Sequence, residues 1–314
     1  MELSRTAPTF IAGHRGLVGS AIYRRLHTLG FDNLVTPDHA ELDLTDAAAT
    51  TAFFDEVRPT YVFVAAAKAG GILANDTYPA DFIRINLQIQ TNVLCAAHAA
   101  RVDKLLFLGS SCIYPKHAPQ PMKEEHLLTG PLEPTNTPYA IAKIAGLTMC
   151  ESYNRQYGTH FIAAMPTNLY GPGDNFNPET SHVLPAMIRR LHEAKLTGAP
   201  FVTMWGSGKP RREFLYVDDL ADACVFLMEN FEPGDGPVFA NVGVGEDITI
   251  AELAAMVAEV VGYGGEIHWD TSKPDGTPRK LLDVSVLTNL GWKANTVLED
   301  GIRTTYAAYL EQMP

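Results

Sequence analysis

The sequence predicts an α/β protein: a doubly wound parallel sheet with a smaller α/β domain beside it. Three observations predict this class. Short apolar runs alternate with helix-like segments through the first two-thirds of the 314-residue chain. Those runs are apolar at consecutive positions rather than alternate ones, as in strands covered by helices on both faces. A set of spaced glycines stands between the first apolar run and the first helical segment.

The apolar runs are TFIAG (9–13), NLVT (33–36), YVFVAAA (61–67), KLLFLG (104–109) and HFIAAMP (160–166). Between them, helices are expected at Leu17–Leu29, Ala47–Val57, Pro79–Ala100 and Pro138–Tyr157. In LDLTDAAAT, Thr45 or Asp46 can cap the second helix. Pro138 suits the first turn of the fourth. Repeated β–α units of this kind wind into a Rossmann-type sheet. After Pro166 the rhythm breaks, and PTNLYGPGDNFNPETSH reads as loop. A helix (Val183–Lys195), a strand (Phe201–Met204), the loop WGSGKPRREF and a helix opened by VDDLADACVFLME follow. ANVGVGEDITIAELAAMVAEVVG returns to strand, turn and helix. The expected division is a dinucleotide-binding domain of 1–168 plus 214–243, and a substrate-binding domain of 169–213 plus 244–314.

The formal net charge is −12, so the protein as a whole repels polyanions. Nucleic acid and anionic membrane are not expected partners, and an anionic small substrate needs a local basic cluster. The four cysteines, Cys95, Cys112, Cys150 and Cys224, form no CxxC pair and no metal-site spacing, so no metal is expected. With no apolar signal core at the N-terminus and no run of membrane-spanning length, the expected location is the cytoplasm.

In FIAGHRGLVGSAIYRRL, Gly13, Gly16 and Gly19 have GxxGxxG spacing after a strand and before an amphipathic helix. Glycines there let the backbone turn sharply and approach a pyrophosphate facing the helix N-terminus. Dinucleotide binding is expected. The second strand is followed by TPDHAELD, where Asp38 suits the ribose hydroxyls of NAD and His39 suits a phosphate. Arg15, inside the glycine loop, suits the 2′-phosphate of NADP, and NADP(H) is the expected cofactor. Each of these three also fits a solvated turn.

TNTPYAIAKIAG places Tyr139 and Lys143 four residues apart, on one helix face. A tyrosine ordinarily ionises near pH ~10, and a neighbouring ammonium is expected to bring it toward the working range. The lysine can also hydrogen-bond a nicotinamide ribose.

The glycine loop, GSSCIYP and the YxxxK pair resemble the extended short-chain dehydrogenase/reductases. AAAKAGGI, FLGSSCIYP, PTNLYGP, SHVLPA and KPDGTPRKLLDV extend the resemblance, over nearly the whole chain, to the branch acting on GDP-4-keto-6-deoxy-D-mannose. The chain departs from NADP-preferring members in having TPDHA where they can carry an arginine. The resemblance implies two chemistries in one pocket: epimerisation at C3 and C5 beside a 4-ketone, then reduction of that ketone by NADPH to give a GDP-linked 6-deoxy sugar. It implies Cys112 as the base and His182 as the partner acid. Ser110 and Tyr139 serve the C4 oxygen, and Lys143 supports Tyr139. Ser111 neighbours Ser110, but strand alternation points only one of them at the pocket.

The resemblance also implies cofactor contacts from Leu17, Val18 and Gly19 in the first helix turn, and from Leu108, Gly109 and Ser110 at the fourth strand's end. Pro166, Thr167, Asn168, Leu169 and His182 complete that set. Arg190, Arg212 and Lys280 are implied holders of the GDP-sugar, with Trp205 packing on guanine or sugar and Asp275 reaching sugar hydroxyls or shaping a turn. A homodimer is implied, through the helices within FIRINLQIQTNVLCAAHAA and PYAIAKIAGLTMCESYNRQYG. Two other readings fit parts of the sequence. Another nucleotide-sugar epimerase or reductase shares the fold; a dehydratase is disfavoured because SSCIYP lacks an Asp–Glu pair. A non-catalytic NADP-sensing module would not require Tyr139 and Lys143.

Overall fold

The structure, a computed structural model, describes residues 2–178, 180–232, 234, 236–273 and 275–312. The first half reads β1 (Thr9–Ala12), α1 (Leu17–Thr28), β2 (Leu34–Val35), α2 (Ala47–Val57), β3 (Tyr61–Val64), α3 (Ile72–Thr77), α4 (Pro79–Ala99), β4 (Lys104–Leu108), α5 (Thr137–Tyr157), β5 (Phe161–Pro166) and β6 (Asn168–Tyr170). There follow α6 (Val183–Thr197), β7 (Phe201–Trp205), β8 (Arg211–Arg212), β9 (Phe214–Tyr216), α7 (Val217–Asn230) and β10 (Phe239–Val242). The chain ends with β11 (Ile248–Thr249), α8 (Ile250–Val261), β12 (Glu266–Asp270), β13 (Arg279–Lys280), α9 (Ser285–Leu290) and α10 (Leu298–Gln312).

Six parallel strands form the main sheet in the order β10-β5-β4-β3-β1-β2. Side chains of successive strand residues go to opposite layers. Phe10, Leu105, Phe107 and Phe161 join the layer under α2, α4 and α5. Ile11, Leu106, Leu108 and Ile162 join the layer under α1 and α7. All of these are buried, and each large apolar side chain removed from water contributes roughly 1.5–3 kcal/mol. That two-sided burial is why the runs read as continuously apolar.

Strand order reverses at β1, whose neighbours are β2 on one side and β3 on the other. A crevice opens beyond the carboxyl ends of strands at such a point. A third cluster, with Leu184, Ile188, Leu191, Leu253, Val257 and Ile302 at its centre, packs α6, α8 and α10 together with β7. The small sheets β11-β8-β13 and β12-β7 lie in this part of the chain. No helix among the described residues is long and apolar enough to cross a membrane.

The cap of α2 is Asp46, whose carboxylate accepts from the N–H groups of Ala48 (2.8 Å) and Ala49 (3.0 Å). Thr45 is instead tied to Asp43. Asp46→Ala is expected to cost about 1 kcal/mol in urea denaturation, and an unchanged midpoint would contradict the cap.

Candidate active site

The glycine loop follows β1 at the crevice. Gly13 has φ +84°, and a Cβ there would stand 2.7 Å from the Ala66 backbone nitrogen, just beyond β3. A Cβ on Gly19 would meet the Gly13 carbonyl oxygen at 2.1 Å, so only glycine lets α1 seat against the loop. Gly16 is the N-cap of α1; no side chain caps that end and no acid stands in its first turn. The open N–H groups of this turn, which includes Leu17, Val18 and Gly19, are complementary to a diphosphate. The residues present therefore fit a dinucleotide.

Arg15 already has a partner. Its guanidinium pairs with the Asp38 carboxylate, and His14 Nε2 lies 3.3 Å from the other carboxylate oxygen. His39 is exposed and lies near Asp43.

At the end of β4 the chain turns sharply. A Cβ on Gly109 would overlap the Met165 sulfur at 2.1 Å. Ser110 caps a short 3₁₀ turn, its Oγ 2.8 Å from Cys112 Sγ. Ser111 is buried, whereas Ser110 and Cys112 are half-buried.

Tyr139 and Lys143 lie on the first turns of α5. Lys143 is buried; its ammonium donates to the Leu108 carbonyl at 2.7 Å and lies 4.7 Å from the Phe107 ring centroid and 5.7 Å from that of Tyr139. Gly146 permits this approach of α5 to β4, since a Cβ there would come within 2.5 Å of the Phe107 ring. Burial brings Lys143 down to about 8. Tyr139 departs from the expectation: burial first, then Cys112, push its phenol up, not down. Desolvation of the phenolate outweighs an ammonium already committed to a carbonyl. Tyr139 is thus a protonated donor at neutral pH.

The opposite wall comes from β8 and β13. Their parallel register sets Arg211 beside Arg279 and Arg212 beside Lys280. Four cations on two short strands repel, and alternation sorts them. Arg211 and Arg279 both bind the buried carboxylate of Asp247. Arg212 is pinned by the carbonyls of Thr277 (2.6 Å) and Arg211 (2.8 Å). Burial lowers Lys280; the charge of Cys112 works against that and Arg212 works with it. His182, the N-cap residue of α6, is exposed, and its side chain makes no cap bond. Crowding by protein, then the Lys280 charge, hold it below the usual histidine value. Lys280 therefore lies within electrostatic reach of both Cys112 and His182, and Tyr139 and Lys143 both respond to Cys112. Cys112 is thus the electrostatic neighbour of Tyr139, Lys143 and Lys280, and Lys280 links it to His182.

The remaining expected residues lie along β7 and its exit. Arg190 Nη1 donates to the Thr203 carbonyl at 3.0 Å. Trp205 is 63% exposed, with the Lys273 ammonium 5.5 Å from its ring centroid. Asp275 accepts from the Ser207 N–H (2.8 Å) and Oγ (2.6 Å), so it shapes that turn; Arg212 feels its charge.

Residues 9–243 match the model of the NAD dependent epimerase/dehydratase family. The chain belongs to this family. It is similar to "GDP-L-fucose synthase 1" of Arabidopsis thaliana, 60% identical over 309 residues (98% of this chain, 95% of the relative). It is similar to "GDP-L-fucose synthase" of Escherichia coli K12, 57% identical over 310 residues (96% of each). Among solved structures it resembles "MlghC, GDP-mannoheptose C4 reductase from Campylobacter jejuni with NADP bound", with TM-score 0.91 and 41% identity, covering 98% of this chain and 100% of that one.

One residue of this epimerase/dehydratase chain was missed in the sequence. Glu213 is fully buried between β8 and β9. Its carboxylate accepts from the N–H groups of Val244 (2.7 Å), Gly245 (2.7 Å) and Leu282 (3.0 Å). Its own carbonyl accepts from the Thr167 hydroxyl (3.3 Å) and the Asn168 amide (2.8 Å). Gly243 leaves room for it: a Cβ there would come within 2.2 Å of its Oε1. The available signal was an acid directly before the apolar FLY of a strand.

Two outcomes follow. Glu213→Gln turns an amide N–H₂ toward backbone donors and is expected to destabilise the fold by roughly 1–3 kcal/mol in chemical denaturation; no change would contradict the network. Ketone reduction is expected to fall on the alkaline side with a midpoint of about 8, as Lys143 loses its proton. A rate that holds up to the range of an ordinary lysine would contradict this.

Proposed function

We propose that the protein is a GDP-L-fucose synthase: a 3,5-epimerase and NADPH-dependent 4-reductase that converts GDP-4-keto-6-deoxy-D-mannose to GDP-L-fucose. The observation that carries the reading is one cluster of groups. Lys280 is the electrostatic neighbour of both a thiol, Cys112, and an imidazole, His182. The same thiol lies 2.8 Å from Ser110 Oγ just after β4 and is the electrostatic neighbour of Tyr139 and Lys143 on the first turns of α5. The two named synthases at 60% and 57% identity over nearly full length support the activity. The NADP-bound reductase supports the cofactor. The division into dinucleotide-binding and substrate-binding parts belongs to the same proposal.

Arg212 and Lys280 supply the positive charge that a diphosphate needs on an acidic protein. Carbons flanking a ketone are acidic because the resulting anion delocalises as an enolate. Cys112, as thiolate, takes the proton from C3, and His182, as imidazolium, returns one to the opposite face; Cys112 then gives up its proton to water and His182 regains one from water, and the same exchange at C5 completes the inversion. An imidazolium held below its ordinary pKa gives up its proton more readily. Ser110 and Tyr139 hydrogen-bond the C4 oxygen throughout. When bound, NADPH supplies the hydride for C4. Tyr139 then gives its proton to the C4 oxygen, and Lys143 stabilises the phenolate left behind. The raised pKa of Tyr139 ensures that it carries this proton at the start.

The protein is also proposed to pair as a homodimer through α4 and α5. Ile141 is 41% exposed, and Met149 and Ile85 are only partly buried. Sedimentation as a monomer at micromolar concentration would reject this pairing.

The activity is tested by incubating the protein with GDP-4-keto-6-deoxy-D-mannose and NADPH and identifying the product by NMR. GDP-L-fucose, formed with one NADPH oxidised per sugar, is expected; a product that keeps the D-manno configuration at C3 and C5 would refute the epimerase half. Cys112→Ser is expected to lose at least 10²-fold in turnover, within the usual range for a general base, while binding NADPH as the wild type does. Equal loss of both properties would point to a folding defect and contradict the assigned role.

A further inference from the structure

Asp38 lies just beyond β2, on the far side of the glycine loop from β3. In a doubly wound sheet this is where the adenosine ribose of a dinucleotide comes to rest. An acid there accepts from the two ribose hydroxyls of an NAD-type cofactor, and it opposes a 2′-phosphate. In this chain the acid is not alone. Arg15 reaches across from the glycine loop and pairs with one carboxylate oxygen, while His14 Nε2 approaches the other at 3.3 Å. The Asp38 N–H is itself held by Glu41 Oε2 at 2.7 Å, which fixes the turn and adds a second acid.

The two partners differ in freedom. The Arg15 side chain is 75% exposed, whereas that of Asp38 is 29% exposed. Exposed ion pairs hold weakly, so Arg15 can swing toward a phosphate while Asp38 stays. The incoming 2′-phosphate then gains a bidentate donor and meets a fixed carboxylate next to it. A ribose diol instead finds that carboxylate ready to accept, with Arg15 still paired. The two effects oppose one another in the same few ångströms.

We infer that Asp38, through its pairing with Arg15, sets cofactor choice in this chain and lets it accept NADH alongside NADPH. The inference rests on the reductase reading above and extends it to a second reduced cofactor.

The test is the dissociation constant of NADPH and of NADH, each measured by fluorescence titration on wild type, Asp38→Asn and Arg15→Ala; circular dichroism confirms that each variant is folded. Wild type is expected to bind the two cofactors within about tenfold of each other. Asp38→Asn is expected to tighten NADPH and weaken NADH, moving the ratio by roughly tenfold or more. Arg15→Ala is expected to weaken NADPH and leave NADH unchanged. A wild type that prefers NADPH by about 1,000-fold, or an Asp38→Asn variant in which both constants move together or neither moves, would overturn the selector and leave the reductase reading intact. Conversely, selective binding as described, without turnover of the GDP-sugar, would refute the reductase reading while supporting the selector.

Discussion

The geometry of the site depends on one buried carboxylate. Glu213 binds the backbone beyond β10 through Val244 and Gly245, and the backbone next to Lys280 through Leu282. Through its own carbonyl it also holds Thr167 and Asn168, at the exit of β5. Segments from the main sheet and from the small sheet that carries Arg212 and Lys280 therefore meet at a single residue. A buried charge is costly unless its acceptors are filled, and burial does push this carboxyl up against the pull of its hydrogen bonds. Such a network tolerates little displacement, which is the property a wall facing Cys112 requires.

The same cavity resolves a conflict between global and local charge. The chain carries a formal −12, yet its proposed ligands are anions. Positive groups are gathered where they are needed, and elsewhere they are cancelled. On β8 and β13, Asp247 takes Arg211 and Arg279, while Arg212 and Lys280, the proposed ligand-holding pair, make no ion pair with it. Burial then keeps Lys280 and Lys143 below ordinary lysine values, so these ammonium groups respond to what enters. Under the proposed function Lys280 has two tasks: a diphosphate to hold, and Cys112 and His182 as its electrostatic neighbours.

Much of this was legible in the sequence, and the reasons are physical. The main-sheet strands were readable because both faces are buried, which forces unbroken apolar runs such as KLLFL. The end of α5 was readable because Gly158, with φ +69°, is a hard stop, whereas the short α3 and α9 and the last helix α10 were not read. Gly13, Gly16 and Gly19 were readable because their spacing has a steric cause. Two kinds of fact were not. The protonation of Tyr139 depends on how much water the fold removes, which the spacing of Tyr139 and Lys143 does not encode. Partner choice among charged residues was hidden as well. Nothing in the sequence shows that Arg15, beside the glycine loop, already pairs with Asp38, and Glu213 inside RREF looks like one more solvated charge.

The central claim is that one pocket exchanges protons with solvent at two carbons and reduces the carbon between them. Running the wild-type reaction in deuterium oxide with unlabelled NADPH and locating the label by NMR tests it most directly. The account predicts solvent deuterium at C3 and C5 of the product and protium at C4. Protium retained at C3 or C5, or deuterium at C4, would contradict it.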